Sequence, residues 1–228
     1  MDSVIDWFAG ATWPVIGIIG IVLNVSVTLT SIALWTLLSG TRPSRSELSN
    51  RAVSSALVTT AVNGLVLVPA WWLWQRGTLV LPRPELLTTT LQFVYLSLFM
   101  DTALYWIHRL GHHELVYRFV HERHHEETTM TPLSLFVMHP IEAAGFGFLM
   151  TTAMLLVPIS VPAVAAFGTL NVVAGTLAHQ PVSTTRGGTL QRLGGWARFH
   201  QAHHEDPAVN LGFFVPFWDR VGGTAATG

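Results

Sequence analysis

No cysteine and no lysine occur among the 228 residues of this chain. Without cysteine there is no disulfide scaffold, no thiolate zinc finger, no cysteine-ligated iron–sulfur cluster and no thiol nucleophile. Charge is scarce as well: 11% of the residues are charged, against about 25% in an ordinary soluble domain. The net charge of −1 offers a polyanion little to bind, so no nucleic-acid partner is expected. Hydrophobic residues make up half of the chain and the mean hydropathy is +0.45. That balance excludes a disordered chain and points to a membrane protein.

Trp13 to Leu38 is 26 residues without a charge, Ala52 to Trp74 is 23, and Leu86 to Ile107 is 22 with the single charge of Asp101. Each is long enough to cross a hydrocarbon core of about 30 Å as a helix. A helix is the one single-segment solution in lipid, because its backbone polar groups are satisfied internally. Three transmembrane helices are expected here. The first does not read as a cleaved signal, since its lead-in holds Asp2 and Asp6 and its apolar run is too long. Leu133 to Val157 is apolar again, with His139 and Glu142 near its start, and Val161 to Ala178 follows after Pro158. The charge-free stretches, 15 residues over 143–157 and 18 over 161–178, fit two tilted helices or a re-entrant hairpin. Both return the chain to the side it left. The expected fold is an all-α integral membrane protein of four to five hydrophobic helices, with a histidine-rich helical cap.

Three crossings place residues 108–132 on the side of the 41–51 loop, and the 133–178 hairpin brings 179–228 back to it. That face carries ten Arg: Arg42, Arg45, Arg51, Arg109, Arg118, Arg123, Arg186, Arg192, Arg198 and Arg220. The opposite face has Arg76 and Arg83. The positive-inside bias makes the histidine face cytoplasmic and the N-terminus external, in a multi-pass protein.

All 11 His lie between His108 and His204. His108 and His112 are spaced i, i+4; His121, His124 and His125 are spaced i, i+3, i+4; His200, His203 and His204 repeat that spacing. On a helix each group aims its imidazoles toward one point, and neutral imidazole ligates iron, zinc, copper or nickel. Eight such His exceed what one metal holds and suit two. His139 and His179 sit at the ends of apolar segments on the same side and are further candidates, while His113, about 100° away from His112 on a helix, reads as a surface residue. Asp101 lies two turns before His108, and Glu142 one turn after His139. A carboxylate that accepts the free N–H of a ligating His fixes its tautomer, and both are assigned that role.

Rival readings share some of these residues. His121-Glu122-Arg123-His124-His125 matches HExxH, the signature of a zinc protease with Glu122 as general base, but it leaves the other His groups unexplained. A metal transporter would want ligands along several spans near mid-membrane, whereas these gather at one face. A carboxylate-bridged di-iron bundle needs two Glu-x-x-His motifs; there is one, Glu122 to His125.

Asp101-x3-Tyr105-Trp106-x-His108-Arg109-x2-His112 resembles the first histidine box of the fatty acid hydroxylase/sterol desaturase family. Tyr117-x3-His121-x2-His124-His125 resembles the second. His200-x2-His203-His204 with Asn210-x-Gly212 and Trp218-Asp219-Arg220 resembles the C-terminal signature, and His139-Pro140-x-Glu142 the segment between. Gly222 stands where the family often has an aromatic residue, which leaves open how the C-terminal segment closes.

The resemblance implies a non-haem di-iron membrane oxidase. It would use O2 to hydroxylate or desaturate a C–H position on a fatty acyl chain, sterol or carotenoid. Its two irons, replaceable by zinc, would be held by His108, His112, His121, His124, His125, His200, His203 and His204, with His139 and His179 added. Residues 1–100 would be N-terminal membrane helices, 101–224 the di-metal domain including the hairpin, and 225–228 a tail. With no GxGxxG fingerprint and no cysteine, the electrons must come from a separate ferredoxin, or a cytochrome with its reductase.

Overall fold

Long apolar runs punctuated by proline and glycine fold here into helices. The structure is a computed structural model that describes residues 2–41, 48–127, 129–182 and 190–226, with backbone alone for 2–5 and 190–194. Arg42, Arg45, the Arg186-Gly187-Gly188 loop and the last two residues of the tail lie outside the described residues, as does the side chain of Arg192.

Helix α1 (Asp2–Gly10) leads into α2 (Trp13–Ser39), which opens with a proline in its first turn and ends at Gly40 in the left-handed conformation, φ 65°. Helix α3 (Asn50–Leu65) is capped by Ser49, whose hydroxyl accepts from the Ala52 N–H, and continues after a break at Val66 as α4 (Leu67–Gln75). Pro69 causes the break: it has no N–H to give the Leu65 carbonyl and its ring crowds that carbonyl. Helices α2 and α3 touch backbone to backbone, because a Cβ on Gly20 would lie 2.1 Å from the Gly64 carbonyl oxygen. Such close crossings are a device of membrane helices.

Helix α5 (Leu86–Gly111) packs on the hairpin of α8 (Pro140–Leu156) and α9 (Val161–Ala178). Leu96, Met100 and Leu104 of α5 meet Ala153, Ile159, Ala163 and Phe167 in a buried core. Among the described residues, the helices long and apolar enough to cross a membrane are α2, the α3–α4 segment Asn50–Gln75, and α9. Over Leu86–Ile107, where a crossing is expected, α5 is as long as these but less apolar. Helix α5 has 26 residues, about 39 Å of length, but Thr88 to Thr90, Gln92 and Asp101 dilute its apolar character. The 17-residue α8 is apolar and shorter.

The α8–α9 hairpin packs alongside α5. At its turn, Gln92 donates to the Pro158 carbonyl and accepts from the Ser160 N–H. The hairpin's open ends meet the C-terminal end of α5, about 24 Å further on. There the indole of Trp35 on α2 donates to the His179 carbonyl after α9, and Ser55 on α3 donates to the Met138 carbonyl before α8. Over this end lie the short helices α6 (Glu114–Val120), α7 (Glu122–His125) and α11 (Phe217–Gly222), and the longer α10 (Leu190–Glu205).

Candidate metal centre

Nine imidazoles meet at that end of the bundle in two groups. His108, His112, His121, His125 and His203 form one; His124, His179, His200 and His204 form the other, the ligand atoms of each lying within 4.8 Å of one another. Contrary to the expectation from spacing, each His-x-x-His-His run divides between the two groups. In α7 the i, i+4 pair His121 and His125 joins the five-His group while His124 crosses to the other. In α10, His200 and His204 join the four-His group while His203 crosses back. Neighbouring residues on a helix diverge by about 100°, so His124 and His125, like His203 and His204, face different groups. Helices α7 and α10 thereby clamp the two groups side by side.

The tautomers follow from what the outer nitrogens touch. A carbonyl oxygen has no proton to give, so a ring nitrogen beside one must donate. His108 Nδ1 donates to the Leu211 carbonyl at 2.8 Å, His203 Nδ1 to Val209 at 2.8 Å, His179 Nδ1 to Gly175 at 2.8 Å and His124 Nδ1 to Val137 at 3.1 Å. His121 Nδ1 donates to Glu142 Oε1 at 2.5 Å. In their neutral forms these five rings have bare Nε2 atoms turned inward. His108 and His121 Nε2 lie 3.0 Å apart, and His112 and His203 Nε2 lie 3.1 Å apart. His200 Nε2 is 3.2 Å from that of His179. Two bare nitrogens at 3 Å repel unless a cation sits against them, so the donor set fits two metal ions.

Electrostatics keeps the rings in the ligating form. Burial, reinforced by repulsion from neighbouring imidazoles, lowers the pKa of His112 to about 3 and those of His125 and His204 to about 2. Burial lowers that of His203 to about 4, although the Val209 carbonyl partly offsets it.

Two candidates stand apart. His139 is the N-cap of α8, its Nδ1 accepting from the Ile141 N–H, and His113 is the N-cap of α6, its Nδ1 accepting from Leu115. Both spend that nitrogen on backbone, and neither joins a group. His139, expected as a further ligand, is thus not brought into either group. Glu142 is: it accepts from His121 with one oxygen and from the His139 N–H with the other. Asp101 is not. Its Oδ1 accepts from the Phe214 N–H at 3.1 Å and its carboxylate also binds the Val215 N–H, so it fixes the C-terminal segment and reaches no imidazole. Glu122 is exposed and reaches neither group.

Residues 209–226 close over the five-His group on Asp219, which is fully buried. Its carboxylate accepts from the Leu211 N–H at 2.6 Å, the Gly212 N–H at 3.0 Å and the Thr224 hydroxyl at 2.8 Å. Leu211 then presents its carbonyl to His108. Asn210 adopts φ 55°, a left-handed conformation that asparagine tolerates, and is tied to Phe199, Thr224 and Ala226. Gly222 also has its reason: a Cβ there would lie 1.9 Å from the Tyr105 hydroxyl, and its carbonyl accepts from Arg109. The roles of Asp219 and Asn210 were missed from sequence, though both stand in the motifs noted there. Trp35 gave no sequence signal.

Residues 93–224 match the family model described as Fatty acid hydroxylase. The chain belongs to the fatty acid hydroxylase family. Among curated members, it is 31% identical over 134 residues to the Delta(7)-sterol 5(6)-desaturase of Leptosphaeria maculans, covering 59% of this chain and 36% of that one. It is 29% identical over 145 residues to human lathosterol oxidase, covering 61% and 46%. It is 31% identical over 228 residues to cholesterol 25-hydroxylase-like protein 2 of Danio rerio, covering 90% and 81%. This fatty acid hydroxylase family chain spans less than half the length of the first two. No solved structure matches it.

Proposed function

We propose that this family member is a membrane-embedded, non-haem di-iron oxygenase that hydroxylates or desaturates a C–H position on a lipid. The observation that carries the reading is the pair of adjacent all-histidine groups with bare Nε2 atoms turned inward. Neutral imidazoles without carboxylate suit Fe(II), and zinc can replace it. Bound iron with O2 supplies the oxidising power for an unactivated C–H bond, which no acid–base side chain has.

The chain's own residues do the rest. The five anchored Nδ1–H groups hold the ring planes, Glu142 raises the basicity of His121, and Asp219 keeps Leu211 against His108. Hydroxylation consumes O2, two electrons and two protons, placing one oxygen on the substrate and one in water; desaturation removes two substrate hydrogens and leaves two waters. The electrons come from a separate ferredoxin or cytochrome docking at the histidine end. With Arg51, Arg109, Arg118, Arg123, Arg198 and Arg220 at that end and Arg76 and Arg83 at the other, the histidine end is assigned to the cytoplasm. The relatives named above are all named for sterols, so sterols lead the substrate screen, followed by fatty acyl lipids and carotenoids.

Two readings compete less well. A zinc protease would need Glu122 beside the metal, and it is exposed. A transporter would need ligands along the spans, and the ligands gather at one end.

The test is metal content per chain in detergent-purified protein expressed with iron, with lipid- and electron-dependent O2 uptake. His124→Ala/His203→Ala removes one ligand from each group. Two metals per chain, lost in the double variant, and an oxidised lipid product are expected. One zinc per chain, insensitive to His203→Ala, overturns the proposal in favour of the protease.

A further inference from the structure

Beside the five-His group lies a cleft of about 330 Å³ whose lining includes Trp196 and Phe199 from α10 and Phe213, Phe214 and Val215 from the segment below Asn210. The remaining lining is glycine and proline, so no charged or hydroxyl side chain faces it. Its one side-chain polar group, the Trp196 indole N–H, is spent on the Phe214 carbonyl at 2.9 Å. Among the described residues no lining side chain has a free polar group for a ligand, and burying a ligand's polar group unpaired is costly.

Three features connect the cleft to the metal groups and to the bundle. Trp196, Phe199 and His203 are spaced i, i+3, i+7 and share one face of α10, so the face that lines the cleft runs on into the five-His group. The Phe213 ring lines the cleft and lies 5.2 Å from the His108 ring, edge-on. Phe214 packs on Phe167 of α9 at 5.8 Å and on the buried core of α5 and α9, while its backbone is held by Asp101. The floor of the cleft is thus continuous with the apolar bundle.

We infer that this cleft seats an aliphatic segment of the lipid, its polar group outside, and that Phe213 is the positioning residue setting which carbon reaches the five-His group. The inference rests on the oxygenase reading and names the part of the substrate its site takes. The volume stands at the low end of ligand pockets, about 300–1,000 Å³, which suits a single chain, either an acyl tail or a sterol side chain.

The test uses the full-length protein in nanodiscs with two photoreactive probes. One is a long-chain fatty alcohol with a diazirine at its methyl end; the other is a sterol with a diazirine in its side chain. Cross-linked residues are mapped by mass spectrometry and metal content is measured on the same samples. At least one probe labels 195–199 and 213–216, and which one does so identifies the chain's origin. Val215→Trp, at a half-exposed position, lowers that labelling by about tenfold through overpacking and leaves metal content unchanged; Val215→Phe is the milder second variant. Labelling confined to the outer faces of α2 and α9, or insensitive to both Val215 variants, overturns the inference. Absence of metal from wild-type protein that still labels the cleft would instead overturn the oxygenase reading and leave the cleft assignment standing.

Discussion

Replacing Glu142 by glutamine tells the two histidine groups apart. The carboxylate meets His121 Nδ1 with one oxygen and the His139 N–H with the other, and it touches no ring of the four-His group. Glutamine keeps the shape but loses the charge, and its amide nitrogen cannot replace both accepting oxygens. A charge-assisted hydrogen bond is roughly twice as strong as a neutral one, and removing such a partner from a ligating His costs about 10–100-fold in metal affinity, or about 1.4–2.8 kcal/mol. The loss falls on the five-His group alone. Metal-loaded protein is dialysed against rising chelator. The variant should release metal from the five-His group at about 10–100-fold lower chelator than the wild type, with release from the four-His group unmoved. Asp101→Asn is the paired control: its carboxylate holds Phe214 and Val215 and no ligand, so the release profile should stay that of the wild type. An unshifted release profile in Glu142→Gln, or a shift in Asp101→Asn as large as in Glu142→Gln, would refute the assignment.

Trp35→Phe leaves the His179 carbonyl without the indole donor. It should destabilise the protein by about 1–3 kcal/mol and weaken metal retention in the four-His group first, read by the same chelator titration. Gly222→Ala drives a methyl into the Tyr105 hydroxyl; a loss of about 1–3 kcal/mol in thermal melts should be partly restored by adding Tyr105→Phe, and no restoration would refute the clash. The metal-free protein should lose stability as pH falls below 6.5. There the unfolded chain binds protons on His112 and His203, while the folded chain refuses them until about 3 and about 4. Melting temperature in chelator should therefore be flat above pH 7 and decline steadily toward pH 4; a rise on acidification would contradict the burial of these rings.

Membrane character and the histidines that gather were legible in the sequence because each depends on local information. An apolar run of twenty-odd residues in lipid has one backbone solution, and His at i, i+3 and i+4 on a helix must lie near one another. Even so, α5 proved less apolar than its length suggested: Thr88 and Thr90 bond its own carbonyls, Gln92 holds the hairpin turn, and Asp101 holds Phe214. Which ligand serves which group was not local. His124 and His125 are neighbours in sequence, and only the placement of α7 between α5 and α10 sends them to different groups. His139 and His179 looked alike, each ending an apolar segment. His179 follows a helix, its ring turned back to Gly175 with Nε2 inward, whereas His139 precedes one and its ring is taken by the orphan N–H groups of the first turn. Asp101 and Glu142 also read alike as carboxylates one or two turns from a His. Tertiary packing gave Glu142 an imidazole and Asp101 a backbone, because residues 211–216, more than a hundred positions away in sequence, fold across the face of α5 that Asp101 occupies. The sequence by itself determined that imidazoles gather at one end of a membrane bundle. Their sorting, their tautomers and the latch on Asp219 depend on contacts between distant segments, which spacing along the chain does not record.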